Sequence, residues 1–213
     1  MLLRLPPIAV LASVLAACCL GAAWPLAAQT RPAQVLLIRH GHKDGNAGNY
    51  NLSRRGLERS QALAGLIPAC FGKVSRIVTY AFNPETGKNA RSYQSAVALA
   101  VASGVNIRMD NGSESDSREA GRRILGDPAD AGGLVVVFWE HRRLPLLAAG
   151  LGWATMPAMA DDDFDTLDQL RYPAGVEDPV VRRFSQAQLL ANPRLCPALP
   201  SLPINPAPRA PSP

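Results

Sequence analysis

The sequence predicts an α/β fold: a three-layer αβα sandwich on a mostly parallel sheet, with an antiparallel hairpin at one edge. Three observations predict it. Short apolar runs at residues 35–38, 74–80 and 134–139 have the length of strands buried on both faces. The segments between them space their apolar residues as amphipathic helices do. Strand and helix alternate four times, the pattern that places helices on both faces of a parallel sheet. At 213 residues and 47% hydrophobic, the chain is long and apolar enough for one domain with a real core.

The first strand is Val35-Leu36-Leu37-Ile38, followed by a polar loop through Asn51. Ser53 is a good N-cap for a helix over residues 53–67, with Leu57, Leu63, Ala64, Leu66 and Ile67 on or near its buried face and Pro68 fitting its end. The second strand is 74–80. After the loop 83–88, Asn89 can cap a helix over 90–102. A short third strand covers 105–109, and a helix covers 117–125. The run 134–139 is continuously apolar and therefore central; a helix over 144–151 follows. Residues 161–167 read as a short acidic helical turn. Residues 170–172 and 180–184, split by Pro173-Ala174-Gly175, read as the edge hairpin.

The ends stand apart from this domain, which runs over 34–196. Residues 1–28 read as an export signal, with one charge at Arg4, an apolar stretch over 8–15 and small residues after it. Two cleavage readings stay open. Leu15-Ala16-Ala17-Cys18 resembles a bacterial lipobox, which would make 1–17 a lipoprotein signal and anchor the chain to a membrane through lipidated Cys18. Leu26-Ala27-Ala28 before Gln29 resembles an ordinary signal-peptidase site. Either predicts an exported protein, periplasmic or secreted. Residues 29–33 read as a linker and 197–213 as a Pro-rich, disordered tail. An oxidising compartment would suit a disulfide between Cys70 and Cys196; two separate buried thiols are the alternative. The charge of +5 is spread out with no Lys/Arg run, which argues against a nucleic-acid partner.

The chemistry concentrates at strand ends. Arg39-His40-Gly41 closes the first strand, where open α/β sheets hold ligands. His141 follows the 134–139 strand, and Arg91 opens the helix after the second strand. All three βα loops are expected on one sheet edge, so Arg39, His40, Arg91 and His141 can converge on one crevice. This set suits a phosphate monoester. Two guanidinium forks match the dianion. One neutral imidazole can attack phosphorus, and the second can stabilise the spreading charge. Lys43 and His42 stand where they could add contacts to the phosphate. Glu140 is the neighbouring candidate for the leaving-group acid, although strand alternation would turn it away from His141. Asp110, Glu114, Asp116 and Glu119 are alternatives on a loop. The run Asp161-Asp162-Asp163 reads as a helix cap in preference to a metal site.

These motifs resemble the histidine phosphatase, or phosphoglycerate mutase-like, superfamily over about residues 35–151. Arg39-His40-Gly41 is similar to its signature. Leu52-Ser53-Arg54-Arg55-Gly56, with Arg59 and Ser60, is similar to its leucine-Ser/Thr-x-x-Gly segment. Arg91 with Gln94-Ser95-Ala96 resembles its arginine-x-x-Gln-Thr-Ala element, with Ser95 for the usual threonine. The resemblance implies His40 as the phosphorylated nucleophile, His141 as the second catalytic histidine, Arg39 and Arg91 as phosphate ligands, and no metal or cofactor. It implies a phosphatase acting on a small phosphoester or a phosphorylated macromolecule. The short insert after the second strand lacks a clear counterpart of the mutase glutamate, so a mutase or phosphotransferase is the lesser alternative. A phosphate-binding module without turnover is the alternative from another class.

Overall fold

The computed structural model describes residues 30–46, 48–110 and 116–197. The signal reading, Cys18, Glu114 and the tail beyond Pro197 lie outside these residues. Six strands form one sheet: β1 (Gln34–Arg39), β2 (Val74–Tyr80), β3 (Ile107–Asp110), β4 (Leu134–Trp139), β5 (Thr166–Arg171) and β6 (Val180–Ser185), in the order β3-β2-β4-β1-β5-β6. The pairings β3–β2, β2–β4 and β4–β1 are parallel. The last two strands form a hairpin that joins β1 antiparallel. Every β4 residue is buried, as its central place requires, whereas β3 and β6 are partly exposed edges.

The helices are α1 (Arg54–Phe71), α2 (Ala90–Ser103), α3 (Asp116–Gly126), α4 (Leu144–Gly150) and α5 (Gln186–Ala191). Alternate residues of β1 face opposite layers. Leu36 and Ile38 pack with Leu63, Ile67 and Leu99 of α1 and α2. Val35 and Leu37 pack with Ala120, Leu144 and Leu147 of α3 and α4. This alternation is what a two-sided sheet demands. In the second layer α3 and α4 touch through glycines: a Cβ on Gly121 would strike the Leu147 carbonyl, and one on Gly150 the Arg118 carbonyl.

Several elements differ from the sequence expectation. Helix α1 passes through Pro68 and ends at Phe71. Proline removes one helical hydrogen bond, but the extra turn buries Cys70 and Phe71 completely or nearly so. Gly72, at φ 97°, closes that turn by donating its N–H to the Pro68 carbonyl. Asn89 adopts a left-handed conformation, φ 70°, and its side chain makes no cap bond. Residues 161–165 form no helix; they are a loop, and β5 already begins at Thr166. The last two residues expected to be helical are claimed by the sheet, Thr166 pairing with Ser185 of β6 and Leu167 with Ile38 of β1. Helix α5, capped by Ser185, was not anticipated.

Residues 31–33, expected as linker, pack against the body: Arg31 donates to the carbonyls of Val176 and Glu177, and Tyr172 donates its N–H to Ala33. At the other end Cys70, on the last turn of α1, is joined to Cys196 by a disulfide, with a Cα–Cα distance of 4.8 Å. Among the described residues no helix is long and apolar enough to cross a membrane.

Candidate active site

The C-terminal ends of β1 and β4 open into a cavity of about 170 Å³ lined by Arg39, His40, Lys43, Arg91, Glu140 and His141, among others. The pairing of Arg39 with Trp139 sets the two strand ends side by side, so the residues that follow emerge together. The His40 and His141 rings lie 6.4 Å apart and nearly perpendicular.

The signature loop is clamped from two sides. Gly41 packs against α1, where a Cβ would come within 2.9 Å of the Gly56 carbonyl oxygen. A side chain on Gly56 would in turn meet the backbone of His42. Ser53 fastens the same corner, since its N–H donates to the His42 carbonyl at 2.9 Å and its hydroxyl accepts from Gly56. From the other side Ser95 of α2 accepts the Gly41 N–H at 2.8 Å and donates to the Arg91 carbonyl at 2.7 Å. Gln94 accepts the Leu52 N–H at 2.8 Å. The leucine-Ser-x-x-Gly and Arg-x-x-Gln-Ser-Ala segments therefore hold the loop that carries His40.

His40 is 8% exposed. Its Nδ1 lies 2.8 Å from the Gly41 carbonyl oxygen, an acceptor only, so Nδ1 carries the proton and Nε2 keeps its lone pair. Burial, joined by the charges of Arg39 and Arg91, pushes its pKa down to about 3. The imidazole is therefore neutral at physiological pH.

Arg39 is 1% exposed. Its Nη1 donates to the carbonyls of Ala160 at 3.0 Å and Asp163 at 2.7 Å, and its guanidinium lies 3.9 Å from the Phe164 ring centroid. Its Nε and Nη2 are buried without a partner. Arg91 donates from Nη2 to the Asn49 carbonyl at 3.3 Å, while Nη1 is buried without a partner. Ser92, which sequence reasoning overlooked, also lines the cavity with its hydroxyl unpartnered. Buried donors are normally satisfied. Donors of Arg39, Arg91 and Ser92 that meet no protein acceptor therefore come from residues lining one small cavity, an arrangement able to receive an oxyanion.

His141 is 6% exposed. Its Nε2 lies 2.6 Å from Asp161 Oδ1, and its Nδ1 lies 2.8 Å from Glu140 Oε1 without hydrogen-bond alignment. Glu140 is thus not turned away. It stands one residue past β4, where strand alternation no longer governs side-chain direction, and it lines the cavity. The hydrogen bond from His141, together with Arg142, holds the Asp161 carboxyl below the usual carboxylate range.

The structure places the remaining candidates differently. Lys43 lines the cavity, and its backbone bridges to Leu52. His42 points elsewhere: its ring stacks on Phe164 with centroids 4.3 Å apart and lines a neighbouring cavity with Arg55 and Arg59. Burial pushes the His42 pKa down to about 4. Asp110 pairs with Arg123 at 2.5 Å, and neither it, Asp116 nor Glu119 lines the cavity. Arg59 was visible only as part of a motif. Its Nε donates to Gln186 at 2.8 Å and its Nη1 reaches the His40 carbonyl at 3.5 Å, so it braces the loop from below.

No protein-family model matches this chain, and neither does any curated protein. Solved structures do. A mycobacterial glucosyl-3-phosphoglycerate phosphatase is 17% identical, with 72% of this chain and 97% of that chain covered and a TM-score of 0.45. The protein histidine phosphatase SixA, complexed with tungstate, is 12% identical over 73% of this chain and 99% of that one, with a TM-score of 0.49. Phosphoglycerate mutase from Bacillus anthracis is 10% identical over 78% and 99%, also with a TM-score of 0.49.

Proposed function

We propose that this chain is a phosphomonoesterase that works through a phosphohistidine on His40. One observation carries the reading: a neutral imidazole with Nε2 free stands beside a cavity ringed by the unpartnered donors of Arg39, Arg91 and Ser92.

The steps follow from that arrangement. The phosphoryl group of a monoester lies against the two guanidinium groups, whose forks match its oxygens. The Nε2 lone pair of His40 attacks phosphorus; the N–P bond forms as the ester P–O bond breaks. Arg39, Arg91 and His141 meet the charge that spreads over the phosphoryl oxygens in the transition state. Glu140, a carboxyl that lines the same cavity, acts in this reading as the acid that protonates the leaving oxygen. A water then attacks the phosphohistidine and gives its proton to the Glu140 carboxylate. Inorganic phosphate leaves, and His40 returns to its neutral state. The chemistry of these residues requires no metal or cofactor.

The substrate class is a phosphoester, small or macromolecular, and the sequence reading of residues 1–28 adds export, with lipidation of Cys18 as one route of attachment. Incubation with p-nitrophenyl phosphate in EDTA tests the activity. The expected result is metal-independent release that falls at least ~10³-fold in His40→Ala. Undiminished release by folded His40→Ala would overturn the mechanism. Phosphate binding without release by the wild type would favour the binding-module reading.

A further inference from the structure

Arg39 is held at one corner and on one face of its guanidinium group. Nη1 donates to the Ala160 and Asp163 carbonyls at 3.0 and 2.7 Å, and Cζ lies 3.9 Å from the centroid of the Phe164 ring. Nε and Nη2 meet no protein acceptor. Those two nitrogens share one edge of the planar group, an edge that can take two oxygens of one anion. The molecule uses the same edge elsewhere: Arg183 grips the Asp168 carboxylate through Nε at 2.7 Å and Nη2 at 3.0 Å. The groups that hold Arg39 are two carbonyls and a ring, all neutral, so none of them competes as an anion for that edge. The loop that supplies them is itself pinned: the Asp163 carboxylate accepts the N–H groups of Asp165 and Thr166 at 3.0 and 2.9 Å and the Thr166 hydroxyl at 2.6 Å.

From this geometry we infer that Phe164 is a positioning residue for the phosphoryl-transfer site, acting through Arg39. The inference rests on the phosphatase reading above and extends it to a residue that does not line the candidate cavity. Two hydrogen bonds on a single nitrogen anchor one corner of the guanidinium. A ring against its face sets the plane, because a guanidinium that tilts away loses the cation–π contact. Corner and plane together aim the Nε–Nη2 edge. The same ring stacks on His42 with centroids 4.3 Å apart and stands 6.2 Å from His40, so it sits where the proposed nucleophile and its neighbouring arginine meet. A leucine at this position would keep the apolar bulk and lose the plane.

Variants of the full chain test this: Phe164→Leu, Phe164→Tyr, Arg39→Lys and the double variant Phe164→Leu with Arg39→Lys. The first readout is steady-state hydrolysis of p-nitrophenyl phosphate by folded protein. Phe164→Leu is expected to lower kcat/KM ~5–30-fold, the equivalent of a desolvated cation–π contact. Phe164→Tyr keeps the ring and stays within ~2-fold of wild type. In the Arg39→Lys background Phe164→Leu costs less than ~2-fold, because a lysine has no plane to orient. A loss below twofold in Phe164→Leu, an equal loss in Phe164→Tyr, or an undiminished loss in the Arg39→Lys background overturns the proposal. The second readout is a titration with inorganic phosphate followed at the Arg39 Nε–H signal in ¹H–¹⁵N spectra, assigned by its absence from Arg39→Lys. The expected result is a signal that phosphate shifts in the wild type, with affinity weakened by a similar factor in Phe164→Leu. If the wild type hydrolyses nothing, the phosphatase reading fails by itself, and the titration still decides the role of Phe164. A signal that phosphate leaves unmoved, or equal affinity in the two proteins, overturns it.

Discussion

At the scale of single residues, the site depends on burying a histidine beside two arginines. Desolvation and those charges keep His40 neutral, while the Gly41 carbonyl selects its tautomer, so the geometry that costs stability in acid also suits the nucleophilic role proposed for His40. Arg91 offers an unpartnered Nη1 to the cavity. Its replacement by alanine is expected to lower kcat/KM for p-nitrophenyl phosphate by ~10²–10³-fold, the range found when a transition-state donor is removed. His42 shares the sequence neighbourhood but turns onto Phe164. His42→Ala is therefore expected to stay within ~2-fold of wild type, the equivalent of ~0.5 kcal/mol. Loss of activity comparable to that of Arg91→Ala would put His42 back at the phosphate. Arg39, His40, Arg91 and His141 were legible because each sits at a fixed offset from a strand or helix end. Asp161 and Phe164 were not. Their contacts with His141 and Arg39 are long-range, and an Asp-Asp-Asp run locally looks like the first turn of a helix.

At the scale of elements, the central strands were legible to within a residue because buried parallel strands are nearly pure apolar runs. The end of α1 was not. Local rules stop a helix at Pro68, and only the burial of Cys70 and Phe71 against the rest of the core carries it on. The close crossing of α3 and α4 was equally invisible, since a glycine reveals nothing of the helix it will meet. Gly121→Ala would press a methyl group onto the α4 backbone. A loss of ~1–3 kcal/mol in urea unfolding is expected, at a residue that does not line the candidate cavity; an unchanged midpoint would mean that the crossing is looser than described. The disulfide ties α1 to the segment after α5 across 126 residues. Reduction is expected to lower the thermal midpoint through a loss of ~2–5 kcal/mol, and Cys196→Ser should abolish the response to reductant.

At the scale of the whole molecule, stability and function are linked through protonation. His40 and His42 have folded pKa values of about 3 and about 4, below their ordinary 6.5. Between those values the unfolded chain binds more protons, so stability is full above about 6.5 and falls as the pH drops toward 3. Asp130 works the other way: burial raises its pKa from 3.8 to about 6, so it favours the fold slightly more in acid over that window. Two histidines against one carboxyl predict a thermal midpoint that declines from pH 6.5 to pH 4, with a shallower decline in His40→Gln. An equal slope in the two proteins would contradict the burial of a neutral His40. The central claim is covalent chemistry at that residue, and the most direct measurement is to trap it. Enzyme mixed with p-nitrophenyl phosphate is quenched in alkali within milliseconds, digested and mapped by mass spectrometry. The account predicts an acid-labile phosphoryl group on the peptide containing His40, absent when His40 is replaced by alanine. Turnover with no phosphopeptide, or with the phosphoryl group on another residue, would contradict it.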